Sequence, residues 1–172
     1  MHRPCDPAGV RLLVLDADGT LTDGGIHVDG HGVETKRFHV RDGFGMRAWM
    51  RTGRELAVVT GRGELALRHR LADLGVQHVV TASGPKGAVL EGLLARLGIP
   101  AAETAAMGDD LPDLPLLARV GYPMAVADAV PEVREMAAWV STAQAGHGAV
   151  REGIEHLLRA AGAWQAVVEA QQ

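Results

Sequence analysis

The stretch LLVLDADGTLTDGG, Leu12 to Gly25, decides the fold, because four apolar residues run directly into Asp16 and Asp18. A short run of Leu and Val is typical of a strand that is buried on both faces of a sheet. An ionised carboxylate at the end of such a strand is costly unless a cation compensates its charge. The two aspartates therefore indicate a nearby cation, although D-x-D-G-T alone is equally compatible with an Asx-type turn followed by a helix cap.

Strands and helices alternate along the rest of the chain. Apolar runs predict strands at 11–15, 55–59, 78–81, 104–107, 123–127 and 139–141. Helical spacing predicts helices over Phe44–Arg51, Glu64–Leu74, Lys86–Leu97, Leu114–Arg119, Pro131–Ala138 and Val150–Ala160. This alternation is typical of an α/β fold with a mostly parallel sheet and helices on both faces, and such sheets carry their chemistry at the carboxyl ends of the strands.

One segment interrupts the alternation. Residues 24–40, GGIHVDGHGVETKRFHV, place two extended arms around Asp29-Gly30-His31-Gly32, which predicts a β-hairpin that projects from the sheet as a flap. The length of 172 residues predicts one domain, covering residues 1–172. The last dozen residues contain little that must be buried, so we expect them to fray.

Composition excludes several classes of function. Hydrophobic residues make up 47% of the chain and charged residues 22%, as in ordinary globular proteins, and a net charge of -4 disfavours nucleic acid as a partner. Cys5 is the single cysteine, and the start MHRPCDPAGV lacks the apolar segment of a signal peptide. No apolar run approaches the roughly 18 residues needed to span a bilayer. We therefore expect a soluble, cytoplasmic protein with no membrane partner.

Polar residues follow three further predicted strands. Thr60-Gly61-Arg62 comes after the strand at 55–59, Lys86 after the strand at 78–81, and Asp109, Asp110 and Asp113 after the strand at 104–107. Each signal has an ordinary structural explanation: Thr60 as a helix N-cap, Lys86 as a solvated lysine, and the aspartates as capping residues. Their order and placement carry the argument, because the carboxyl ends of parallel strands meet at one edge of the sheet.

Together these residue types supply what phosphoryl transfer needs. One of the two first aspartates can act as nucleophile and the other as general acid and base. The hydroxyl and backbone amides can bind phosphoryl oxygens, the lysine can balance charge, and the second acidic cluster can hold Mg²⁺.

The ordered motifs resemble those of the haloacid dehalogenase-like phosphatase superfamily, whose pattern is DxDG(T/V)(L), then Ser or Thr, then Lys, then GDD or GDxxxD. The flap, LRHRLADLG, MGDDLPDLPLLARVG and GHGAVRE are similar to the capless subgroup of 3-deoxy-D-manno-octulosonate 8-phosphate phosphatases, and the likeness runs from about Val10 to Gly162. The resemblance implies a Rossmann-like three-layer sandwich with a β-hairpin flap and no cap domain.

The resemblance also implies residue roles. Asp16 would attack phosphorus and become an aspartyl phosphate, and Asp18 would protonate the leaving alkoxide and then activate water. Mg²⁺ would bind the carboxylates of Asp16 and Asp109 and the backbone carbonyl of Asp18. Asp110 and Asp113 would support that site, and Thr60, Gly61 and Lys86 would bind the phosphoryl oxygens.

The family's contacts to the sugar acid fall on His39, Val40, Arg41, Asp42, Gly43, Arg47, Arg62 and Arg70. Guanidinium groups suit a substrate that carries a carboxylate as well as a phosphate. The resemblance further implies a homotetramer assembled by the flaps, with a Gly-rich C-terminal tail from about residue 144 that reaches an adjacent site. Gly146, Gly148 and Arg151 match that tail, whereas His147 stands where the family commonly has Lys or Arg.

Three other functions remain open at this point. A phosphatase for a nonulosonate 9-phosphate could use the same arginines, and relative turnover on the two substrates would decide between them. A sugar phosphomutase is disfavoured because the intervals between the motifs leave no room for a cap. A catalytically idle oligomerisation domain is disfavoured because every residue type that the chemistry needs is present.

Overall fold

A six-stranded parallel sheet forms the centre of the molecule, in the order β5-β4-β1-β6-β7-β8. The computed structural model describes residues 5–63 and 65–172. The strands are β1 (Leu12–Leu15), β4 (Glu55–Thr60), β5 (His78–Thr81), β6 (Thr104–Gly108), β7 (Tyr122–Ala125) and β8 (Trp139–Val140). Each lies within two residues of its predicted bounds, and the predicted α/β class is confirmed.

Helices cover the sheet and pack in two groups. They are α1 (Val40–Arg51), α2 (Leu65–Leu74), α3 (Lys86–Leu97), α4 (Leu114–Leu117), α5 (Pro131–Met136), α6 (Ala149–Ala160) and α7 (Trp164–Glu169). Helix α1 packs against α6, and α3 packs against α4. The predicted start of the second helix at Glu64 lies outside the described residues, as do the first four residues of the quoted N-terminus.

Helix α1 begins four residues before the predicted Phe44. The ring Nδ1 of His39 accepts a hydrogen bond from the backbone N–H of Arg41 at 3.3 Å, which satisfies one of the free donors at the start of the helix. The predicted end of the third helix at Leu97 is confirmed, since Gly98 caps α3 with φ +63°.

The core is aliphatic where the sheet is covered on both faces. All four residues of β1 are buried, as expected for a central parallel strand. Trp49 is a large aromatic exception, and its indole N–H donates to the backbone carbonyl of Glu55 at 2.7 Å, so its polar atom is satisfied on burial. Burial of this continuous aliphatic cluster supplies the main driving force for folding.

The predicted hairpin is present as β2 (His27–Val28) paired antiparallel with β3 (Glu34–Thr35). Asp29 stabilises its turn, because its carboxylate accepts from the backbone N–H groups of His31 and Val33, both at 2.8 Å. The register places Val28 opposite Glu34. The hairpin forms its own small sheet, separate from the central one.

The C-terminal region differs from the prediction. Residues 149–160 form α6 and residues 164–169 form α7, so the expected fraying of the last dozen residues is wrong for this helix. Trp164 anchors α7: it is 6% exposed, and the guanidinium of Arg151 lies 4.6 Å from its ring centroid. The guanidinium of Arg159 lies over the same ring at 5.7 Å, and Val167 packs against the core, so this short helix is held on one face.

The strand order sets the location of a site. The chain moves from β1 to one side of the sheet through β4 and β5, and to the other side through β6, β7 and β8. Ligands bind parallel sheets where the strand order reverses, which here is the carboxyl edge between β1 and β6. Leu15 is level with Met107 across this pair, so the residues that follow them lie side by side.

Within residues 5–63 and 65–172, no helix combines the length and apolar character of a membrane span.

Candidate active site

The loop after β1 brings Asp16 to the carboxyl edge of the sheet. The backbone N–H of Asp16 donates to the carbonyl of Met107 at 3.0 Å, which extends the pairing of β1 with β6 by one residue. The loop then turns on the carbonyl of Ala17, which accepts from the N–H groups of Leu21 at 2.9 Å and Thr22 at 3.1 Å. The loop is therefore a turn built on a backbone carbonyl, and not the Asx-type turn that was the alternative explanation of this motif.

Gly19 in this loop cannot carry a side chain. Its φ is +83°, and a Cβ atom there would lie 2.0 Å from the carboxylate Oδ2 of Asp109. The glycine therefore lets the first loop approach the acidic residues that follow β6.

Three carboxylates meet between the two loops. Oxygen atoms of Asp16, Asp109 and Asp113 all lie within 4.8 Å of one another. Asp113 is held there because its Oδ2 accepts from the backbone N–H of Asp109 at 3.0 Å. Thr20 donates its hydroxyl to Oδ1 of Asp109 at 3.3 Å. We call this group, Asp16, Asp109 and Asp113, the acidic cluster.

Asp110 does not join the acidic cluster. It is exposed, and its carboxylate accepts from the N–H of Leu111 at 2.7 Å, where it caps a short 3-10 turn. The capping explanation considered for these aspartates therefore applies to Asp110, while Asp113 both caps that turn and faces the cluster.

Lys86 lies against the acidic cluster. Its ammonium is 2.5 Å from Oδ1 of Asp16 and 2.6 Å from Oδ1 of Asp113, and its side chain is 9% exposed. Lys86 is the first residue of α3, where a positive charge opposes the helix dipole. The two carboxylates offset that unfavourable position, so the explanation of Lys86 as a solvated surface lysine is wrong.

Lys86 offsets only part of the charge that the three ionised carboxylates would carry. Burial has the largest effect on the pKa of Asp16 and the charge of Asp113 the next largest. Together they raise this pKa from 3.8 to about 7, while Lys86 opposes the increase. Burial also raises the pKa of Asp109 to about 8, and the charges of Asp16 and Asp113 add to this. Burial alone would lower the pKa of Lys86, but Asp16 and Asp113 raise it above its usual value, so Lys86 is a cation. One lysine therefore does not neutralise the acidic cluster, and a divalent cation would.

Asp18 pairs with Lys36, which is not among the predicted site residues. The ammonium of Lys36, from the flap, forms an ion pair with Oδ1 of Asp18 and lies 3.5 Å from Oε1 of Glu34. Glu34 in turn binds the guanidinium of Arg62 at 2.8 Å. The alternation of the hairpin arm is a signal for this pair, since Glu34 and Lys36 are two residues apart and share a face of the strand.

Thr60 and its neighbours occupy the adjacent strand end. Thr60 is buried at the end of β4, and its hydroxyl accepts from the N–H of Arg62 at 3.1 Å and donates to the carbonyl of Arg62 at 3.0 Å. The hydroxyl therefore closes a local turn with Arg62, and its hydrogen bonds do not cap α2, which begins at Leu65. Gly61 has no neighbour within 4 Å of the position of a Cβ atom, so its backbone is open to a ligand.

The segment His39–Gly43 serves the fold in several places. His39 caps α1, Val40 and Arg41 are exposed, and Gly43 is buried against the guanidinium of Arg70. Asp42 is 2% exposed, and its Oδ1 accepts from the backbone N–H of Arg151 at 2.7 Å at the start of α6. Oδ1 of Asp42 therefore caps a helix, while the predicted contact of Asp42 with the sugar acid stays a prediction.

We expect Asp42→Ala to destabilise the protein by about 1 to 3 kcal/mol, because it removes the acceptor of a buried N–H group. The free energy of unfolding in urea measures this loss. Arg41→Ala, at an exposed neighbour in the same turn, is the matched control and should change stability by less than about 0.5 kcal/mol. Equal stability of the wild type and Asp42→Ala would contradict the capping role.

Arg47 and Arg70 are not at the acidic cluster. Arg47 donates to the backbone carbonyl of Asp73 at 2.6 Å and lines a cavity of about 510 Å³ with Glu55 and His78, the first residues of β4 and β5. That cavity is at the amino edge of the sheet, opposite the edge that carries the acidic cluster, and the predicted contact of Arg47 with the sugar acid stays a prediction. Arg70 lies beside Gly43 and pairs with the carboxylate of Asp73 at 3.3 Å.

The predicted Gly-rich tail is a loop within the fold. Gly146 donates its N–H to the carbonyl of Thr20 at 3.3 Å, in the first loop of the same chain, and Gly148 precedes α6. His147 Nε2 lies 2.9 Å from Arg37, which also binds Asp23 at 2.8 Å. The segment from about residue 144 therefore packs on the first loop of its own chain and is followed by two helices, and its predicted reach to an adjacent site stays a prediction.

Comparisons with known proteins identify related chains. Residues 78–152 match the family model of a haloacid dehalogenase-like hydrolase. The chain is 41% identical over 153 residues to the 3-deoxy-D-manno-octulosonate 8-phosphate phosphatase KdsC of Escherichia coli K12, covering 89% of this chain and 81% of that protein.

Two solved structures have the same fold. The 3-deoxy-D-manno-octulosonate 8-phosphate phosphatase of Yersinia pestis superposes with a TM-score of 0.91 at 38% identity, covering 93% of this chain and 86% of the other. The corresponding phosphatase of Moraxella catarrhalis, solved with a magnesium ion, a phosphate ion and a KDO molecule, has a TM-score of 0.94 at 35% identity. It covers 97% of this chain and 96% of the other.

Proposed function

We propose a function from the premise that this chain belongs to the 3-deoxy-D-manno-octulosonate 8-phosphate phosphatase family of the haloacid dehalogenase-like hydrolases. It is therefore a phosphoric monoester hydrolase. The substrate is 3-deoxy-D-manno-octulosonate 8-phosphate, and Mg²⁺ is the cofactor. One observation carries the proposal: Asp16, Lys86 and Asp109 converge at the carboxyl edge of the sheet. The related phosphatase that was solved with magnesium, phosphate and KDO supports the choice of ligands.

The acidic cluster fits Mg²⁺. Its donors are carboxylate oxygens, which this hard cation prefers, and burial with mutual repulsion raises the pKa values of Asp16 and Asp109 to about 7 and about 8. The carboxylates of Asp16 and Asp109 and the backbone carbonyl of Asp18 would hold the ion, and Asp113 would orient Lys86 beside it. When bound, Mg²⁺ supplies positive charge for the phosphoryl oxygens and brings the phosphate close to Asp16.

Asp16 is the proposed nucleophile. Its carboxylate oxygen attacks phosphorus, the bond from phosphorus to the sugar oxygen breaks, and Asp18 gives its proton to the leaving alkoxide. Asp18 then takes a proton from water, the hydroxide attacks the phosphorus of the aspartyl phosphate, and inorganic phosphate leaves with Asp16 regenerated. Lys86 remains protonated throughout and offsets the negative charge of the phosphoryl group.

The proposed contacts to the phosphate and to the sugar acid lie at the same carboxyl edge of the sheet. The open backbone of Gly61 and the N–H groups around Thr60 are proposed to bind phosphoryl oxygens. Arg62 is proposed to bind the sugar carboxylate, because its guanidinium already binds a carboxylate, that of Glu34, at 2.8 Å. The remaining predicted contacts in His39–Gly43 would come mainly from backbone and exposed groups.

Turnover of phosphorylated sugar acids tests this function. We expect the enzyme with Mg²⁺ to hydrolyse 3-deoxy-D-manno-octulosonate 8-phosphate with a higher kcat/KM than a nonulosonate 9-phosphate, and EDTA to abolish both activities. Release of inorganic phosphate measures the rates. A higher kcat/KM on the nonulosonate 9-phosphate would overturn the substrate assignment, and full activity in EDTA would overturn the cofactor.

Metal-free protein should lose thermal stability as the pH rises from 6 to 8. The folded state holds protons on Asp16 and Asp109 up to about pH 7 and 8, whereas the unfolded chain releases them near pH 4. The folded state therefore binds more protons across this window, so the free energy of unfolding falls as the pH increases. Scanning calorimetry in EDTA at the two pH values measures the difference in Tm.

Mg²⁺ should raise Tm more at pH 8 than at pH 6, because it binds the deprotonated carboxylates. Asp109→Asn is the control and should reduce the pH dependence in EDTA, since it removes one of the two titrating groups. A metal-free Tm that is higher at pH 8 than at pH 6 would contradict the charge excess of the acidic cluster.

The flap is proposed to join copies of the chain into a homotetramer. Its apolar residues Ile26, Val28 and Val33 are 56%, 59% and 56% exposed, and such a patch is typical of a protein interface. We expect Ile26→Asp with Val28→Asp to reduce the mass measured by sedimentation equilibrium, because charges at the patch resist burial. Val168→Asp on α7 is the control. An unchanged mass for the flap variant would contradict this assembly.

The single domain and the cytoplasmic location stay predictions from the sequence.

A further inference from the structure

We propose that Lys36 is a positioning residue for Asp18, so that the flap, and not the sheet alone, completes the catalytic site. This inference rests on the proposed function of Asp18 in proton transfer. Lys36 is expected to act through the orientation of the Asp18 side chain and not by binding the substrate.

The contacts of Lys36 support this role. Its ammonium forms an ion pair with Asp18 Oδ1, and its side chain is 2% exposed although it comes from a projecting hairpin. The Asp18 side chain is 29% exposed, so it is free to turn where Lys36 does not hold it. A desolvated, charge-assisted contact of this kind fixes geometry more strongly than a surface ion pair does.

Glu34 holds the lysine in place from within the flap. Its carboxylate lies 3.5 Å from the ammonium of Lys36 and 2.8 Å from the guanidinium of Arg62, which follows β4. Glu34 and Lys36 face inward, whereas the neighbouring Val33 is 56% exposed. The flap therefore has a charged inner face directed at the site and an apolar outer face.

The two catalytic aspartates are supported differently. Lys86, which binds Asp16, is part of α3, a twelve-residue helix packed against the sheet. Lys36, which binds Asp18, follows a two-residue strand of the hairpin. The nucleophile is thus positioned by the central fold, and the proton-transfer residue is positioned by the flap.

This arrangement predicts a defect in kcat when the lysine is replaced. Misplacement of a reacting group by about 1 Å can lower a rate about 100-fold. We expect Lys36→Met to lower kcat on the sugar acid phosphate by about 10- to 100-fold with KM changed less than about threefold. Lys36→Arg should restore most of the rate, because a guanidinium can make the same ion pair.

A double-mutant cycle provides the deciding measurement. The wild type, Lys36→Met, Asp18→Asn and the double variant are assayed with Mg²⁺ on p-nitrophenyl phosphate, whose leaving group needs little protonation, so that Asp18→Asn keeps measurable activity. If Lys36 acts through Asp18, Lys36→Met should slow the wild type and have no further effect in the Asp18→Asn background. Multiplicative losses in the double variant would overturn the proposal, as would an unchanged kcat in Lys36→Met.

Two controls distinguish positioning of Asp18 from a general effect of flap charge or of misfolding. Arg37→Met replaces the next flap cation, which binds Asp23 on the outside at 2.8 Å, and should leave kcat and KM unchanged. The Tm of each variant shows that it is folded. If the wild type hydrolyses p-nitrophenyl phosphate but not the sugar acid phosphate, the substrate assignment fails, while the cycle still decides the role of Lys36.

Discussion

Asp16→Asn is expected to lower kcat by about 10⁴-fold or more, as removal of a nucleophile does in other enzymes. The oxygen of the Asn amide is a much weaker nucleophile than a carboxylate oxygen. The substitution also removes one negative charge from the proposed metal site. Asn has nearly the same shape and can accept the hydrogen bond that Lys86 donates at 2.5 Å, so the fold should be retained. Release of inorganic phosphate at saturating substrate measures the rate.

Trapping of the phosphorylated enzyme separates the nucleophile from a residue that only binds metal. Acid quenching during turnover of substrate labelled in the phosphate should leave label on the wild type and none on Asp16→Asn. Asp110→Asn is the matched control, since this exposed carboxylate caps its own turn and should retain activity within about threefold. Activity of Asp16→Asn within about tenfold of the wild type would refute Asp16 as the nucleophile.

The acidic cluster could be predicted because strand ends converge by a general rule. Asp16 follows β1 and Asp109 follows β6, and parallel pairing places Leu15 level with Met107. Any two residues directly after paired parallel strands are neighbours, whatever the side chains elsewhere. Lys86 could be predicted for the same reason, because its helix follows β5 at this edge.

Asp42 and Arg47 could not be placed from the sequence because their partners are distant in the chain. Asp42 caps α6 through Arg151, which is 109 residues further on. Arg47 lies on α1, and its contact with the backbone carbonyl of Asp73 depends on how α2 packs. A linear motif identifies a residue type at a position, whereas these contacts are set by the packing of whole helices.

The contacts of Lys36 and of α7 could not be predicted from the local sequence pattern. The alternation of the flap places Glu34 and Lys36 on one face, but it does not say whether that face turns toward the site or toward solvent. Helix α7 is six residues long, and its apolar residues do not by themselves show what they pack against. The burial of Trp164 against Arg151 depends on α6, which lies before it in the chain.

Lys86→Met is expected to lower kcat by about 10²- to 10³-fold, the usual effect of removing one fixed charge that stabilises a phosphoryl transition state. It should also destabilise metal-free protein by about 3 to 5 kcal/mol, because it leaves Asp16 and Asp113 buried without their cation. Steady-state kinetics with Mg²⁺ and urea unfolding in EDTA measure the two effects.

The two losses should separate when Mg²⁺ is added. The ion neutralises the acidic cluster and so should restore much of the lost stability, but it cannot replace an ammonium held 2.5 Å from the nucleophile, so kcat should stay low. Arg96→Met, an exposed cation in the last turn of the same helix, should change neither quantity. Recovery of kcat together with stability would mean that Lys86 is needed only for folding. A low kcat in a stable, metal-loaded variant would place its charge in the transition state.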